Sequence, residues 1–412
     1  MQTHYEPLSQ AITGCPQTIG IAAGPRGGVG HYRGAVTNGA GDGAASAYSY
    51  LDSASSEPLH PAARDVLQAA FDQGYADPRR LHGPGRSARL LLDNAREVVA
   101  QCLGVRRDEV IFTSSGTEAV HLGVLGLGAR GIIGSAVEHA SVTEAAAWAR
   151  REYAEVGVDA AGRVDPEAVG DAVGRAGDAV DLVAVQQANH EVGTVQPLAA
   201  IAERLGSVPL FVDAGASMGR LPLPPEAAAV AGSARKWGGP GGVGVLVVRK
   251  ASRWAHPFPG DPWDRSEHGF TNVAGALAAA AALQAVVAER DVVGARQREL
   301  VDLVRRRVAE LPDTDVVGDP VDRLPHLVTF SFLYVDGEAI VTELDRRGFG
   351  IASGSACASD TREPSRVLAA MGALTHGNVR LSLTRDTTRG EVERLLDALP
   401  EVVAGIRAEA GL

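Results

Sequence analysis

The chain has 412 residues, of which 45% are hydrophobic and 22% charged, and its formal net charge is −11. This length can bury the cores of two domains, and the acidic balance excludes a protein built to bind nucleic acid, because phosphate binding requires concentrated positive charge. We find neither an apolar run long enough to cross a bilayer nor a basic start followed by an apolar stretch, so we expect neither membrane insertion nor a secretory signal.

In chain order, the first 46 residues are rich in Gly, Ala, Thr and Ser and show no sustained period. We predict that they form a flexible extension. Beyond them, helical patterns alternate with short apolar runs. The predicted helices are Pro61–Gln73, Gly85–Leu103, Glu118–Gly128 and Ala140–Ala154, and the predicted strands are Glu109–Thr113, Gly131–Ser135, Leu182–Gln187, Pro209–Val212 and Val243–Val248. This alternation predicts an α/β fold with a mostly parallel sheet that helices cover on both faces.

A long helical pattern, Asn272–Leu311, could bridge two domains. The elements predicted after it are Leu327–Phe332, Gly337–Arg347, Asn378–Leu383 and Thr388–Ala398, which together are typical of a smaller α+β domain. We therefore predict that residues 61–311 form the large domain. Residues 47–60 are predicted to be an N-terminal segment of the small domain, and residues 312–412 its main part.

The 39 basic residues include only two lysines, Lys236 and Lys250. Arginine stays protonated in proteins, so it cannot serve as an amine nucleophile. Lys250 ends an apolar strand, whereas Lys236 lies in a turn of small residues before that strand. Any Schiff base would therefore form at Lys236, and pyridoxal 5'-phosphate (PLP) is the leading partner of such a lysine. Taken alone, a surface lysine in a turn is the more ordinary interpretation of Lys236.

Three further segments carry residues that could bind the pyridine nitrogen, the phosphate and the ring of that cofactor. Asp213 ends an apolar strand, where its carboxylate could pair with a pyridine nitrogen or could cap the next turn. The segment Thr113–Glu118 joins a strand to a helix and suits a phosphate, although the same residues make an ordinary capping box. His139 could stack on a planar ring or could cap a helix.

The three cysteines, Cys15, Cys102 and Cys357, are an odd number without framework spacing. This pattern indicates free thiols in a reducing compartment, and we expect a cytoplasmic protein. Cys357 is flanked by small polar residues that would leave its thiol accessible, which makes it a candidate nucleophile. Cys102 lies in a helical apolar pattern and is predicted to be a core thiol.

Together these residues resemble the cysteine desulfurase family, which are PLP enzymes of the class V aminotransferase group with a fold type I architecture. The match runs in order from about Tyr50 to Thr388. The segments that carry it, besides those above, are Tyr50–Ser56 (Tyr-Leu-Asp-Ser-Ala-Ser-Ser), Asn189–Pro197 (Asn-His-Glu-Val-Gly-Thr-Val-Gln-Pro), Gly354–Cys357 with Glu363–Ser365, and Asn378–Ser382. The resemblance implies a PLP-binding large domain, a small domain with a mobile catalytic loop around Cys357, and a homodimer.

The resemblance also implies a role for each candidate residue. Lys236 would hold the cofactor and move protons, and Cys357 would attack the sulfur of L-cysteine, releasing alanine and leaving a persulfide for a sulfur acceptor. Arg380 would clamp the substrate carboxylate. The implied cofactor contacts are Ser115, Gly116, Thr117, His139, Asn189, Asp213, Ser233, Arg235 and Thr271, with Asn189 also beside the substrate. No metal is implied.

Several positions depart from the family pattern. Arg235 replaces the usual His before the lysine, Ala216 replaces a Gln near the phenolic oxygen of the cofactor, and His190 replaces the second Asn of an Asn-Asn-Glu motif. The segment around Thr271 matches the family pattern only loosely. In the family, the equivalent threonine reaches the cofactor phosphate of the neighbouring subunit. These changes suggest a specialised member of the family. The alternatives left open are a selenocysteine or cysteine-sulfinate lyase on the same scaffold, and a catalytically silent relative that binds a sulfur carrier.

Overall fold

The computed structural model describes residues 48–128, 130–258, 271–353 and 364–411. The strands of these ranges are β1 Ser49–Tyr50, β2 Val110–Thr113, β3 Gly131–Ser135, β4 Tyr153–Val156, β5 Val180–Ala184, β6 Leu210–Asp213, β7 Ala229–Ser233, β8 Gly244–Val248, β9 Thr314–Val317, β10 Leu327–Phe332, β11 Phe349–Gly350 and β12 Asn378–Ser382. The helices are α1 Pro61–Gln73, α2 Gly83–Leu103, α3 Gly116–Leu127, α4 Ala140–Trp148, α5 Pro166–Ala176, α6 Leu198–Ala202, α7 Val273–Ala309, α8 Gly337–Arg346, α9 Arg366–Ala370 and α10 Arg389–Glu409.

The larger part of the chain is built on a seven-stranded sheet in the order β2-β8-β7-β6-β5-β3-β4. The neighbouring pairs from β7 through β6, β5 and β3 to β4 are parallel, whereas β8 runs antiparallel to β2 and β7. The predicted α/β fold with a mostly parallel sheet is therefore confirmed.

Alternate residues of the central strands supply two separate cores. Ile132 and Leu182 pack with α3 and α4 on one face of the sheet. Ile133 and Val183, one position further along each strand, pack with α1, α2 and α7 on the other face. Because successive strand side chains point to opposite faces, a strand between two helical layers must be apolar at every position.

Helix α7 runs through 37 residues and joins this part to the small domain. Residues of its first half, up to Val287, pack on the large-domain core, and residues from Leu300 onward pack on the small-domain core with the sheet β12-β10-β9. The two halves of α7 thus pack in different cores, and the domain bounds drawn from the sequence stay a prediction. Contrary to the expectation that no apolar run is long enough, α7 alone among the described helices could cross a membrane by length and composition, but 61% of its most apolar window is buried in the protein.

Three predicted elements have clearly different bounds in the structure. The predicted helix Ala140–Ala154 ends at Trp148 because Arg150 adopts a left-handed conformation (φ 54°), and the chain then forms β4. The predicted strand Leu182–Gln187 lies at Val180–Ala184. Helix α10 continues past Ala398 through Pro400, since Leu399, Val402 and Val403 are buried in the small-domain core and offset the cost of an interior proline, about 3 kcal/mol.

Candidate active site

A cavity of about 160 Å³ opens at the carboxyl ends of four adjacent strands, β3, β5, β6 and β7. Ligands of α/β proteins bind at this edge of the sheet because the connections there leave a crevice. The structure brings most of the predicted site residues to its wall, namely Ser115, Gly116, Thr117, His139, Asp213, Ser233, Arg235 and Lys236.

Lys236 ends a short turn, Ala234–Lys236, that follows β7 directly. The turn is fixed by the next residue, Trp237, whose fully buried indole Nε1 donates a hydrogen bond to the Ala279 carbonyl at 3.1 Å. Arg220 adds a second anchor, because its guanidinium donates to the Lys236 carbonyl at 3.3 Å. The backbone of the lysine is therefore held rigidly while its half-buried side chain borders the cavity.

One end of the cavity is the N-terminus of α3. Ser115 caps this helix, its hydroxyl accepting a hydrogen bond from the Glu118 amide at 3.0 Å. A Cβ atom at Gly116 would lie 2.6 Å from the Ser233 Cβ, so only glycine allows the end of β7 to approach the helix this closely. The first-turn amides of an α-helix have no acceptor within it and, with the helix dipole, attract anions. The arrangement fits a phosphate group.

His139 follows β3 and caps α4. Its Nδ1 accepts a hydrogen bond from the Ser141 amide at 3.1 Å, which leaves Nε2 as the protonated nitrogen of a neutral ring. Burial lowers the pKa of His139, and the positive charge of Lys236 acts in the same direction, whereas the negative charge of Asp213 opposes them. His139 therefore caps a helix, which was the alternative to ring stacking, and its ring also borders the cavity.

Asp213 ends β6, and its Oδ1 accepts a hydrogen bond from the Gly215 amide at 2.7 Å. A second carboxyl, Glu138, lies behind the cavity wall and was not predicted as a site residue. Its Oε1 accepts from the Gln186 amide at 2.9 Å, and its buried Oε2 has no hydrogen-bond partner among the described residues. Burial, and then the charge of Asp213, raise the pKa of Glu138 to about 8.

The structure does not place Asn189 at the cavity. Its side chain is fully buried, where Nδ2 donates to the Val137 carbonyl at 3.2 Å and Oδ1 accepts from the amides of Glu191 and Val192, each at 2.8 Å. The expectation that Asn189 contacts cofactor or substrate is therefore corrected, because its polar atoms already hold the loop together. The next residue, His190, lines the cavity instead.

Arg380 lies on β12 of the small domain and is buried behind His190. Its Nη2 donates to Asp52 Oδ1 at 2.8 Å and to Ser55 Oγ at 2.9 Å, and its Nη1 donates to the His190 carbonyl at 3.3 Å. The guanidinium does not border the 160 Å³ cavity. The guanidinium expected to bind the substrate carboxylate is therefore already paired with the carboxylate of Asp52.

Thr271 borders a neighbouring cavity of about 180 Å³ that shares Gly242 and Val243 with the first one. It is therefore close to the α3 end of the site without lining the cavity itself. Among the described residues, no group of three or more His, Cys, Asp or Glu side chains is arranged to hold a metal ion.

Cys357 and the loop prediction for Ser355–Glu363 lie outside the described residues, as does Cys15. Both flanks of residues 354–363 are described, and each contacts a residue next to the cavity-lining His190. Ala352 exchanges backbone hydrogen bonds with Arg380, and Ser365 Oγ donates to Glu191 Oε2 at 2.6 Å.

Cys102 is a partly buried thiol whose pKa is raised to about 11 by burial, as expected of a core cysteine.

The family model for class V aminotransferases matches residues 49–395 of this chain. Fold, cavity and match agree, and the chain belongs to the class V aminotransferase family.

Its relatives narrow this assignment to the cysteine desulfurases. The chain is 37% identical over 387 residues to the IscS-like cysteine desulfurase of Mycobacterium tuberculosis, covering 88% of this chain and 98% of that protein. It is 32% identical over 378 residues to the cysteine desulfurase IscS of Dictyoglomus turgidum, covering 87% and 95%. A solved structure named NifS-like protein superposes with a TM-score of 0.79 at 26% identity, covering 87% of this chain and 99% of that one. The resemblance stated from the sequence is confirmed.

Proposed function

We propose that the chain is a PLP-dependent cysteine desulfurase that converts L-cysteine to L-alanine and leaves the sulfur as a persulfide on Cys357. The observation that carries this proposal is the convergence of Lys236, Asp213, His139 and the N-terminus of α3 on one cavity. These groups match the amine, acid, stacking ring and anion site that the cofactor requires.

The cavity wall fits this cofactor in its chemistry. Lys236 would bind the aldehyde carbon covalently, and Asp213 would keep the pyridine nitrogen protonated. Ser115, Gly116, Thr117, Ser233 and Arg235 would hold the phosphate. When bound, PLP withdraws electrons from the amino acid and so weakens the bonds around its α-carbon.

The residues of this chain would supply the remaining steps. Lys236, once released by the incoming amine, would carry a proton from the α-carbon of the substrate. The thiolate of Cys357 would attack the substrate sulfur, so that a sulfur–sulfur bond forms as the carbon–sulfur bond breaks. The electron pair of the broken bond stays with the substrate carbon, which takes up a proton and leaves as part of alanine.

The flanks of residues 354–363 support this role for Cys357. One flank is tied to Arg380 through Ala352, and the other is tied to Glu191 through Ser365. Both flanks therefore contact residues that neighbour His190, which lines the cavity. A persulfide so formed would pass its outer sulfur to an acceptor protein or small molecule.

We further propose that the enzyme is a cytoplasmic homodimer, with Thr271 of each subunit near the phosphate end of a site. The experiment that tests the proposed function is product analysis of the PLP-loaded protein with L-cysteine, for the parent and for Cys357→Ala. Alanine formed by the parent alone supports the desulfurase. Alanine formed equally by both proteins indicates a thiol-independent lyase, and no product with no visible absorption band indicates a catalytically silent protein.

A further inference from the structure

A second cavity, of about 430 Å³, lies where α7 passes from the large-domain core to the small-domain core. This junction cavity shares no lining residue with the active-site cavity, and the turn that carries Lys236 separates the two. Lys236 borders the active-site cavity, whereas Trp237 borders the junction cavity. Cavities of roughly 300–1,000 Å³ between domains are typical of small-molecule sites.

Gly294, in the middle of α7, keeps the junction cavity open. A glycine inside a helix is less stable than alanine, so its presence there calls for a packing or functional reason. Close packing does not supply one, because among the described residues a Cβ atom at this position would meet only the Pro325 ring, at an ordinary contact distance of 3.7 Å. The missing side chain therefore adds space to the cavity and admits no neighbouring group.

Arg220 brings a buried positive charge to the wall of this cavity. Its side chain is only 10% exposed, and its Nη2 donates to Glu57 Oε2 at 3.2 Å and to the Lys236 carbonyl at 3.3 Å. Its Nε and Nη1 make no hydrogen bond to the described residues and are not among the polar atoms closed off from solvent. Donors of a buried guanidinium therefore remain for a ligand.

The charges inside the junction cavity leave an excess of one positive charge. The charged residues of its wall are Arg220, Arg290, Arg298, Arg385, Glu57, Glu289 and Asp291. Glu289 and Asp291 are exposed, so water screens them, and the same holds for Asp386, which lies 3.2 Å from Arg385 outside the wall. The acid buried at the cavity is Glu57, and it faces two buried cations, Arg220 and Arg385.

Apolar side chains form the rest of the wall, namely Leu221, Pro222, Trp237, Val286, Val293 and Pro325. An apolar wall with a few polar groups binds a ligand that is mostly apolar and carries a polar end. One excess positive charge matches a carboxylate, whereas a phosphate ester carries about −1.5 to −2 at neutral pH. We propose that the junction cavity binds a small organic monocarboxylate with an apolar body, whose carboxylate accepts a hydrogen bond from Arg220.

The experiment measures the binding of 3-phenylpropionate and of octanoate to the PLP-loaded protein by isothermal titration calorimetry. Each probe joins one carboxylate to an apolar body, and the parent should bind at least one of them. The neutral amide of that probe should bind roughly tenfold more weakly or worse, because it loses a charge-assisted hydrogen bond.

Two variants place the bound probe in the junction cavity. Gly294→Leu fills the cavity from α7 and should abolish binding, and it leaves the ion pair of Arg220 and Glu57 intact. Val293→Phe fills the same cavity from the neighbouring position. The matched control is Gly405→Leu, at an exposed glycine of α10 where a Cβ atom meets nothing within 4 Å, and it should bind like the parent. Circular dichroism checks that each protein is folded.

Binding to Gly294→Leu or Val293→Phe with the parent affinity would overturn the proposal, because the probe would then occupy another place, such as the neighbourhood of Arg380. An amide that binds as tightly as its acid, or a parent that binds neither acid, would overturn it as well. These results leave the proposed function untouched, since alanine formation from cysteine tests that function separately.

Discussion

The guanidinium of Arg380 lies 2.8 Å from the carboxylate of Asp52, a residue 328 positions earlier in the chain. Ser55 accepts a second hydrogen bond from the same nitrogen at 2.9 Å. The N-terminal segment thus closes over β12, and the cation proposed to bind the substrate carboxylate is paired before substrate arrives. Substrate binding would have to share this guanidinium with Asp52 or displace it.

Changes to the two partners should therefore move the KM for cysteine in opposite directions. Arg380→Gln removes a charged contact, which typically costs roughly 2–5 kcal/mol and should raise KM by at least tenfold while PLP still binds. Asp52→Asn removes the competing charge and should lower KM a few-fold. Steady-state kinetics of the two variants measure this directly.

The control for this pair is Arg347→Gln, which alters an arginine at an ion pair on the protein surface. It should leave KM unchanged. An Arg380→Gln variant with the parent KM would show that the substrate carboxylate is bound elsewhere.

Lys236 should be the residue that carries the cofactor. Borohydride reduction of the PLP-loaded protein, followed by peptide mapping, should place the pyridoxyl group on Lys236. Lys250→Arg is the matched control, because it removes the only other lysine, whose amine lies 3.4 Å from Asp108 at the surface. Label on Lys250 in the parent, or loss of label in Lys250→Arg, would contradict the assignment.

The strands and helices with strong apolar periodicity were predictable, whereas elements decided by their neighbours were not. Strand β7, Ala-Val-Ala-Gly-Ser, is rich in small residues and has no strand signature of its own. It is a strand because β6 and β8 flank it and bury every residue. Helix α5, by contrast, carries local signals, since Asp165 caps it and Pro166 begins it.

Glu138 should make the stability of the protein depend on pH. Its pKa is about 8 in the folded protein against 4.5 for an ordinary glutamate, so the unfolded chain releases this proton at a lower pH. The contribution of Glu138 to the free energy of unfolding should fall as pH rises from about 4.5 to 8, by up to roughly 1.4 kcal/mol for each pH unit in that interval.

Glu138→Gln should therefore gain stability relative to the parent between about pH 5 and pH 8. Urea unfolding of both proteins without added PLP, at several pH values, gives the difference. An exposed acid, Glu310→Gln, is the control and should show no such trend. A constant difference between parent and Glu138→Gln would show that Glu138 is ionised across this range.

Cys357 should be needed for alanine formation, and Cys102 should not. Cys357→Ser should abolish the production of alanine from cysteine while retaining the visible absorption of bound PLP. Cys102→Ala should keep the activity, because that thiol is partly buried on α2 and burial raises its pKa to about 11, which makes it a poor nucleophile at neutral pH. Alanine assays on both variants separate a specific thiol role from a general effect of losing a cysteine.

The sequence likewise predicted only part of the candidate site. The lysine, the acid and the helix N-terminus were predictable because each follows a strand or opens a helix in a recognisable pattern. The choice between Asn189 and His190 was not, because adjacent residues of a loop point in different directions and only the folded loop decides which of them faces the cavity. Arg380 was found by its motif, but its pairing with Asp52 joins distant parts of the chain that no local pattern connects.

The measurement that tests the central claim most directly is mass spectrometry of the PLP-loaded protein after brief incubation with L-cysteine and without a reductant. The account predicts an added mass of one sulfur atom, located by peptide mapping on Cys357 and absent from Cys102. Alanine production with no added sulfur on the protein, or added sulfur on a different cysteine, would contradict it.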